Sequence, residues 1–154
     1  LINCYCGNHA IYIYGKDIEI YSSFEAPYQD ELKQHYASVA HGLTNIINAK
    51  DNVTVFNNSR CIDDLVGLSS PLDFWYQDAI RAIKTLENKF HGIVLYKKIS
   101  QQQLDKILSA AQQSLCNANL KILAEKKFYE DLKNSFMSKI KKLKKQFFGD
   151  ENDS

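Results

Sequence analysis

The sequence predicts an α/β domain with a mixed five-stranded sheet, three strands antiparallel and two parallel. Helices should cover both faces, and a basic amphipathic helix should follow at the C-terminus. Three observations lead there. The first 24 residues fall into short β-prone runs separated by turn residues. From residue 28 the apolar positions recur every three or four residues, the period of a helix. Two later β-branched runs are separated by helical stretches, and strands joined that way pair in parallel through a crossover.

Taken in order, Ile2–Cys6 alternates and is the first strand. Gly7-Asn8 marks a turn into Ala10–Tyr14, and Gly15-Lys16-Asp17 a tight turn into a third strand, Ile18–Phe24. Strands linked so closely form an antiparallel meander. Residues Tyr28 to Asn48 place Leu32, Tyr36, Val39, Ala40, Leu43, Ile46 and Ile47 on one helical face. Val53–Phe56 is the fourth strand. Ser59 is expected to cap a short helix through Val66 that stops at Gly67. Ser70, with Pro71 at the first helical position, is expected to start a helix running to about Asn88. His91-Gly92 leads into a fifth strand, Ile93–Tyr96. Ser100 should cap a final helical stretch to about Phe148, with a break near Asn117-Ala118-Asn119.

Composition narrows the class. The chain has 154 residues and is 45% hydrophobic, with 9 Tyr, 8 Phe and 1 Trp, enough apolar material for a core. Only 2 Pro and 6 Gly argue against a low-complexity or collagen-like chain. No apolar run approaches the roughly 20 residues that span a bilayer, and Leu1-Ile2-Asn3-Cys4 lacks the basic start of a secretory signal. Cys4, Cys6, Cys61 and Cys116 fit neither a CxxC motif nor zinc-finger spacing. Reduced, partly buried thiols in a cytoplasmic protein are expected.

Charge is segregated. Residues 117–148 carry nine lysines against three acids (Glu125, Glu130, Asp131), a net +6. The tail adds −3 through Asp150, Glu151 and Asp153, which leaves −2 for the first 116 residues within a total of +1. The expected organisation is therefore a domain over 1–116, a basic amphipathic helix over 117–148 and an acidic, disordered tail over 149–154.

Local sequences add a resemblance. Cys4-Tyr5-Cys6-Gly7 stands where the ribonuclease HI family has a first-strand Tyr-x-Asp-Gly motif. Gln34–Leu43 stands where that family has a Glu-led first helix with a small residue before its Leu. Val53–Arg60 stands where it has a strand ending in an Asp-Ser step, and Leu104-Asp105-Lys106-Ile107-Leu108 where it has an Ala-Asp-x-Leu-Ala helix start. Over about residues 2–115 the chain resembles the ribonuclease HI family, especially its short bacterial members. The alternative register, with Tyr12-Ile13-Tyr14-Gly15 as the first motif, leaves too few strands for the meander.

The resemblance implies two-metal hydrolysis, in which four carboxylates hold a pair of Mg²⁺ ions. The matching positions here are Cys6, His35, Asn58 and Asp105, so one carboxylate of four remains. It therefore implies a non-catalytic member, a pseudoenzyme holding no metal cofactor. The alternative is a divergent but active ribonuclease H that cleaves RNA in RNA–DNA hybrids with Mg²⁺ or Mn²⁺, drawing on Glu31, Asp63 or Asp64 as substitutes. Cys6, His35 and Asp105 could otherwise form a soft zinc site, but no fourth ligand is indicated. His9, His41 and His91 read as surface or packing residues. Phe74, Trp75 and Tyr76 could stack a base, though core packing is the commoner role.

In the C-terminal segment Leu120, Leu123, Phe128, Leu132, Phe136, Ile140, Leu143 and Phe147 recur at three- to five-residue steps. Lys139, Lys141, Lys142, Lys144 and Lys145 lie among the last of them. One face is apolar and the other basic. Such a helix can pair with phosphates of an RNA–DNA hybrid or another nucleic acid, dock a protein partner, or lie on an anionic membrane surface. The expected function is a non-catalytic ribonuclease H-like module that binds nucleic acid or a protein.

Overall fold

The structure, a computed structural model, describes residues 1–148, apart from the side chains of 116–126, 128–129, 143–144 and 146–148. The acidic tail and the side chains of Cys116 and Lys144 lie outside the described residues. The chain divides into two units, Leu1–Gln113 and Ser114–Ser154.

The first unit is built on a five-stranded sheet of order β3-β2-β1-β4-β5. The strands are β1 (Ile2–Cys6), β2 (Ala10–Gly15), β3 (Ile18–Ser23), β4 (Val53–Asn57) and β5 (Val94–Lys98). The meander pairs antiparallel, with Cys4 opposite Ile13 and Tyr12 opposite Tyr21. β1 and β4 pair in parallel, with Cys4 beside Val55, and β4 and β5 do the same. Alternation sends Cys4, Cys6, Ile11, Ile13, Val53, Val55 and Asn57 into the buried layer. Tyr5, Tyr12 and Phe56 take the other face.

The helices are α1 (Glu31–Asn45), α2 (Cys61–Leu65), α3 (Phe74–Glu87) and α4 (Gln101–Phe148). α1 lies over β1 and β2 and buries Tyr36, Val39 and Leu43. It comes close because residue 42 is glycine. A Cβ there would stand 2.7 Å from the Cys4 sulfur and 3.2 Å from the Cys6 sulfur. The first turns of α4 lie on the opposite face, where the Leu108 side chain reaches Gly7 and Leu104 is fully buried.

Strand ends shift by one or two residues from the sequence expectation, α2 starts after Arg60, and three larger differences concern the other helices. α1 begins at Glu31, because Asp30 accepts from the backbone amides of Leu32 and Lys33 and so sets the cap. α3 begins at Phe74, not after Ser70. Asp73 accepts from Trp75 N at 2.7 Å and outcompetes Ser70, while Pro71 is buried and its carbonyl accepts from the Gln77 side chain. α4 runs through residues 117–119 without the expected break. Two signals read from sequence hold. Gly67 takes a left-handed φ of 82° after α2. Ser100 caps α4, its hydroxyl accepting from Gln103 N while the Gln103 side chain accepts from Ser100 N.

In the second unit Leu132, Phe136 and Met137 are exposed, as are Lys139, Lys141, Lys142 and Lys145. No helix among the described residues is long and apolar enough to cross a membrane.

Gly42→Ala tests the contact of α1 with the sheet. Its methyl group would collide with two sulfurs on a buried strand, so unfolding by urea should show a loss of about 1–3 kcal/mol. An unchanged midpoint would mean that α1 sits farther from β1.

Candidate functional site

The sequence expectation gathers Cys6, His35, Asn58 and Asp105 at one end of the sheet. The structure makes two separate groups of them. Cys6 ends β1 and His35 lies in the second turn of α1. The residue that joins them is Asn57, the last of β4, and not Asn58. Strand alternation explains the correction. Asn57 follows Val53 and Val55 onto the α1 face, whereas Asn58 has left the strand. Asn58 stands at the Asp-Ser step of the resemblance, one residue beyond the amide that reaches His35. The parity of the strand was the signal that points to Asn57.

Asn57 is fully buried and uses both ends of its amide. Its Nδ2 donates to the Cys6 carbonyl at 2.5 Å and to His35 Nδ1 at 3.0 Å. Its Oδ1 accepts from the Ser59 backbone N–H at 2.7 Å and from the Cys61 thiol at 3.5 Å. The amide group therefore presents N–H, not oxygen, to the imidazole. This assigns His35 the tautomer with Nδ1 bare and Nε2 protonated, and Nε2 lies 3.8 Å from the exposed Glu31 carboxylate. Burial lowers the His35 pKa, and Glu31 only partly offsets it.

The Cys6 thiol belongs to the core, with its sulfur 3.5 Å from that of Cys4. Its pKa is raised well above the usual thiol value, first by the Cys4 contact and then by burial. Burial also pushes the Cys61 thiol up, to about 12. Both thiols are protonated at neutral pH and are poor nucleophiles. The network is neutral: one amide, one imidazole and protonated thiols.

Asn58 and Asp105 form the second group. The Asn58 amide donates to Gln101 Oε1 at 3.3 Å, and Gln101 Nε2 donates to Asp105 at 2.8 Å. Asp105 is exposed on the first turns of α4. Of the three acids that could substitute, Glu31 faces His35 from the exposed side, and the other two are engaged elsewhere. Asp64 is buried, accepts hydrogen bonds from the Tyr36 and Ser69 hydroxyls and lies 3.6 Å from Arg60. Asp63 pairs with Lys98 at 3.1 Å. Among the described residues no group of three or more His, Cys, Asp or Glu is placed to hold a metal ion.

Of the other histidines, His41 packs its ring 4.9 Å from that of Phe24, and His91 is exposed. Trp75 stands edge-on to Tyr28, Tyr36 and Tyr76 between α1 and α3, in packing roles, while Phe74 is exposed.

His35 makes a pH prediction. Its folded pKa lies below the ordinary 6.5, so the unfolded chain binds the extra proton first. The His35 contribution to stability is complete above 6.5 and is lost as pH falls from there towards the folded value. Thermal midpoints should decline across that window, and the decline should flatten in His35→Gln. An equal decline in that variant would remove His35 as the cause.

Solved ribonuclease H structures share this architecture. RNase H1 from the halophilic archaeon Halobacterium salinarum superposes with a TM-score of 0.57 at 11% identity, over 68% of this chain and 89% of that one. The N-terminal RNase H domain of Rv2228c from Mycobacterium tuberculosis gives 0.57 at 12% identity, over 74% of this chain and 97% of that one. At such identities the likeness is one of fold, and the fold is ribonuclease H-like. No family model and no curated protein matches the chain.

Proposed function

We propose that this ribonuclease H-like domain binds nucleic acid without cutting it. The observation that carries the reading is the closed, neutral network around Asn57. A pair of Mg²⁺ ions requires hard, anionic oxygen ligands in octahedral geometry. Where β1, α1 and β4 meet, the available groups are a core thiol, an imidazole, an amide whose oxygen is already taken and, at the exposed rim, the single carboxylate of Glu31. Asp105 is bonded to Gln101 instead of to this network. The donor set does not fit the ions, and no hydrolytic step is derived through them.

The ligand is a polyanion, and the lysines of the second unit supply the grip. Lys139, Lys141, Lys142, Lys144 and Lys145 place five positive charges within seven residues. Neutralising phosphates releases condensed counterions, which gives affinity without base recognition. An RNA–DNA hybrid is the first ligand to try, by analogy with the fold. The apolar face of the same segment supports a second reading, capture of a protein partner, because Leu132, Phe136 and Met137 are exposed in that unit too.

Two measurements test this. With Mg²⁺ or Mn²⁺ and an RNA–DNA hybrid the protein should give no cleavage above background. Cleavage that disappears in Asp105→Asn would overturn the proposal in favour of a divergent active nuclease. Hybrid affinity should also fall steeply with salt. Changing the five lysines to glutamine should reduce the slope of log K against log salt by up to about 4–5, at roughly 0.9 for each phosphate contact. A slope unchanged by the substitutions would move the contact elsewhere, and retention of a protein partner alone would favour the second reading.

A further inference from the structure

The sheet face turned away from α1 carries a row of rings. Tyr12 stands 6.1 Å from Tyr5, and Tyr5 stands 4.7 Å from Phe56, with interplanar angles of 18° and 14°. The register places Tyr21 beside Tyr12 at one end and Lys97 beside Phe56 at the other. Three strands thus hold near-parallel rings stacked across the sheet, and the stack stops at Phe56. Among the described residues no ring lies on the side of Phe56 away from Tyr5.

A cavity of about 350 Å³ opens at that end, lined by Tyr5, Phe56, Ile99, Gln103, Lys106 and Ile107. The site lies within the first unit, between the sheet and the first turns of α4. Its walls are aromatic and aliphatic, and its polar side-chain groups are the Tyr5 hydroxyl, one amide and one ammonium. No carboxylate is among these lining residues. Lys106 and Lys97 are both exposed, and among the described residues neither has an ion-pair or hydrogen-bond partner. Neighbouring lysines are otherwise engaged, as Lys98 is with Asp63.

We propose that this cavity takes a nucleotide, its base stacked on Phe56 as the next ring of the row and its phosphate held by Lys106 and Lys97. A planar heteroaromatic ring satisfies the open π-face as no aliphatic ligand does, and base–aromatic stacking is tolerant of sequence. The lysines favour an anionic substituent and so separate nucleotides from uncharged aromatic compounds. The cavity lies on the opposite side of the sheet from the Cys6, His35 and Asn57 network, and Asp105, which neighbours Lys106 on α4, is not among its lining residues. It rests on the proposed function only for the class of ligand, and it adds a contact for an unpaired nucleotide to those of the lysine segment.

The test is an NMR titration of the full chain with adenosine 5′-monophosphate, with ribose 5-phosphate and inorganic phosphate as controls and a short oligodeoxythymidylate as the strand form. The mononucleotide should shift the Tyr5, Phe56 and Lys106 signals and move its own ring protons upfield, while ribose 5-phosphate should not bind. Lys106→Gln and Phe56→Leu should each weaken binding roughly tenfold; Lys106→Gln is a surface change that leaves the core intact. A stronger response to the oligonucleotide than to the mononucleotide identifies a strand as the source, and the reverse a free nucleotide. Equal response to ribose 5-phosphate, or shifts confined to residues 127–145, would overturn the inference. If the mononucleotide fails to bind while hybrid retention persists, this site falls and the proposed function stands. If the mononucleotide binds and the hybrid does not, the site stands and the proposed function falls.

Discussion

One buried amide holds the β1 end of this fold together. Asn57 ends a parallel strand, ties the carbonyl of β1 to the ring of His35 on α1, and fixes the turn into α2 through Ser59. Both donors and the acceptor oxygen are used, so the side chain has a single orientation. A buried amide left half-bonded costs about 1–3 kcal/mol for each unsatisfied group, which makes any rotation of this one expensive. The orientation in turn decides the chemistry. With N–H facing the imidazole, the neutral form of His35 is the one accommodated.

Much of the fold was legible in the sequence, because period and turn residues act locally. The meander followed from Gly7-Asn8 and Gly15-Lys16-Asp17, and the crossover from the helical stretch between two β-branched runs. Competition between nearby caps was harder to read. Ser70-Pro71 is a sound helix start in isolation, yet Asp73 accepts from Trp75 N with a carboxylate, a stronger acceptor than a hydroxyl. The site was legible in composition and not in register. The lack of acids at Cys6 and His35 was plain, but choosing between Asn57 and Asn58 required knowing which face the fourth strand turns inward. Asp64 was also opaque: nothing local says that Tyr36, 28 positions earlier, donates to it.

Charge is segregated between the two units. The first 116 residues are nearly neutral, and carboxylates near the ends of β1 and β4 are spent on caps, Tyr36, Ser69 and Lys98. Positive charge is concentrated in the second unit, where Lys127, Lys133, Lys139, Lys141, Lys142 and Lys145 are exposed. Clustered anions repel one another unless a cation sits among them. The neutral amide, imidazole and thiols at this position carry no such repulsion.

The parallel pairing of β1 with β4 has a kinetic consequence. Hairpins in the meander close over a few residues, whereas Asn57 must find Cys6 across 51 positions of chain. The entropy of that closure is lost before any contact repays it. The meander and α1 are thus free to assemble early, and the amide locks in late, when β4 slides into register. A folding intermediate in which β4 has yet to pair would expose the β4-facing edge of β1 to other chains.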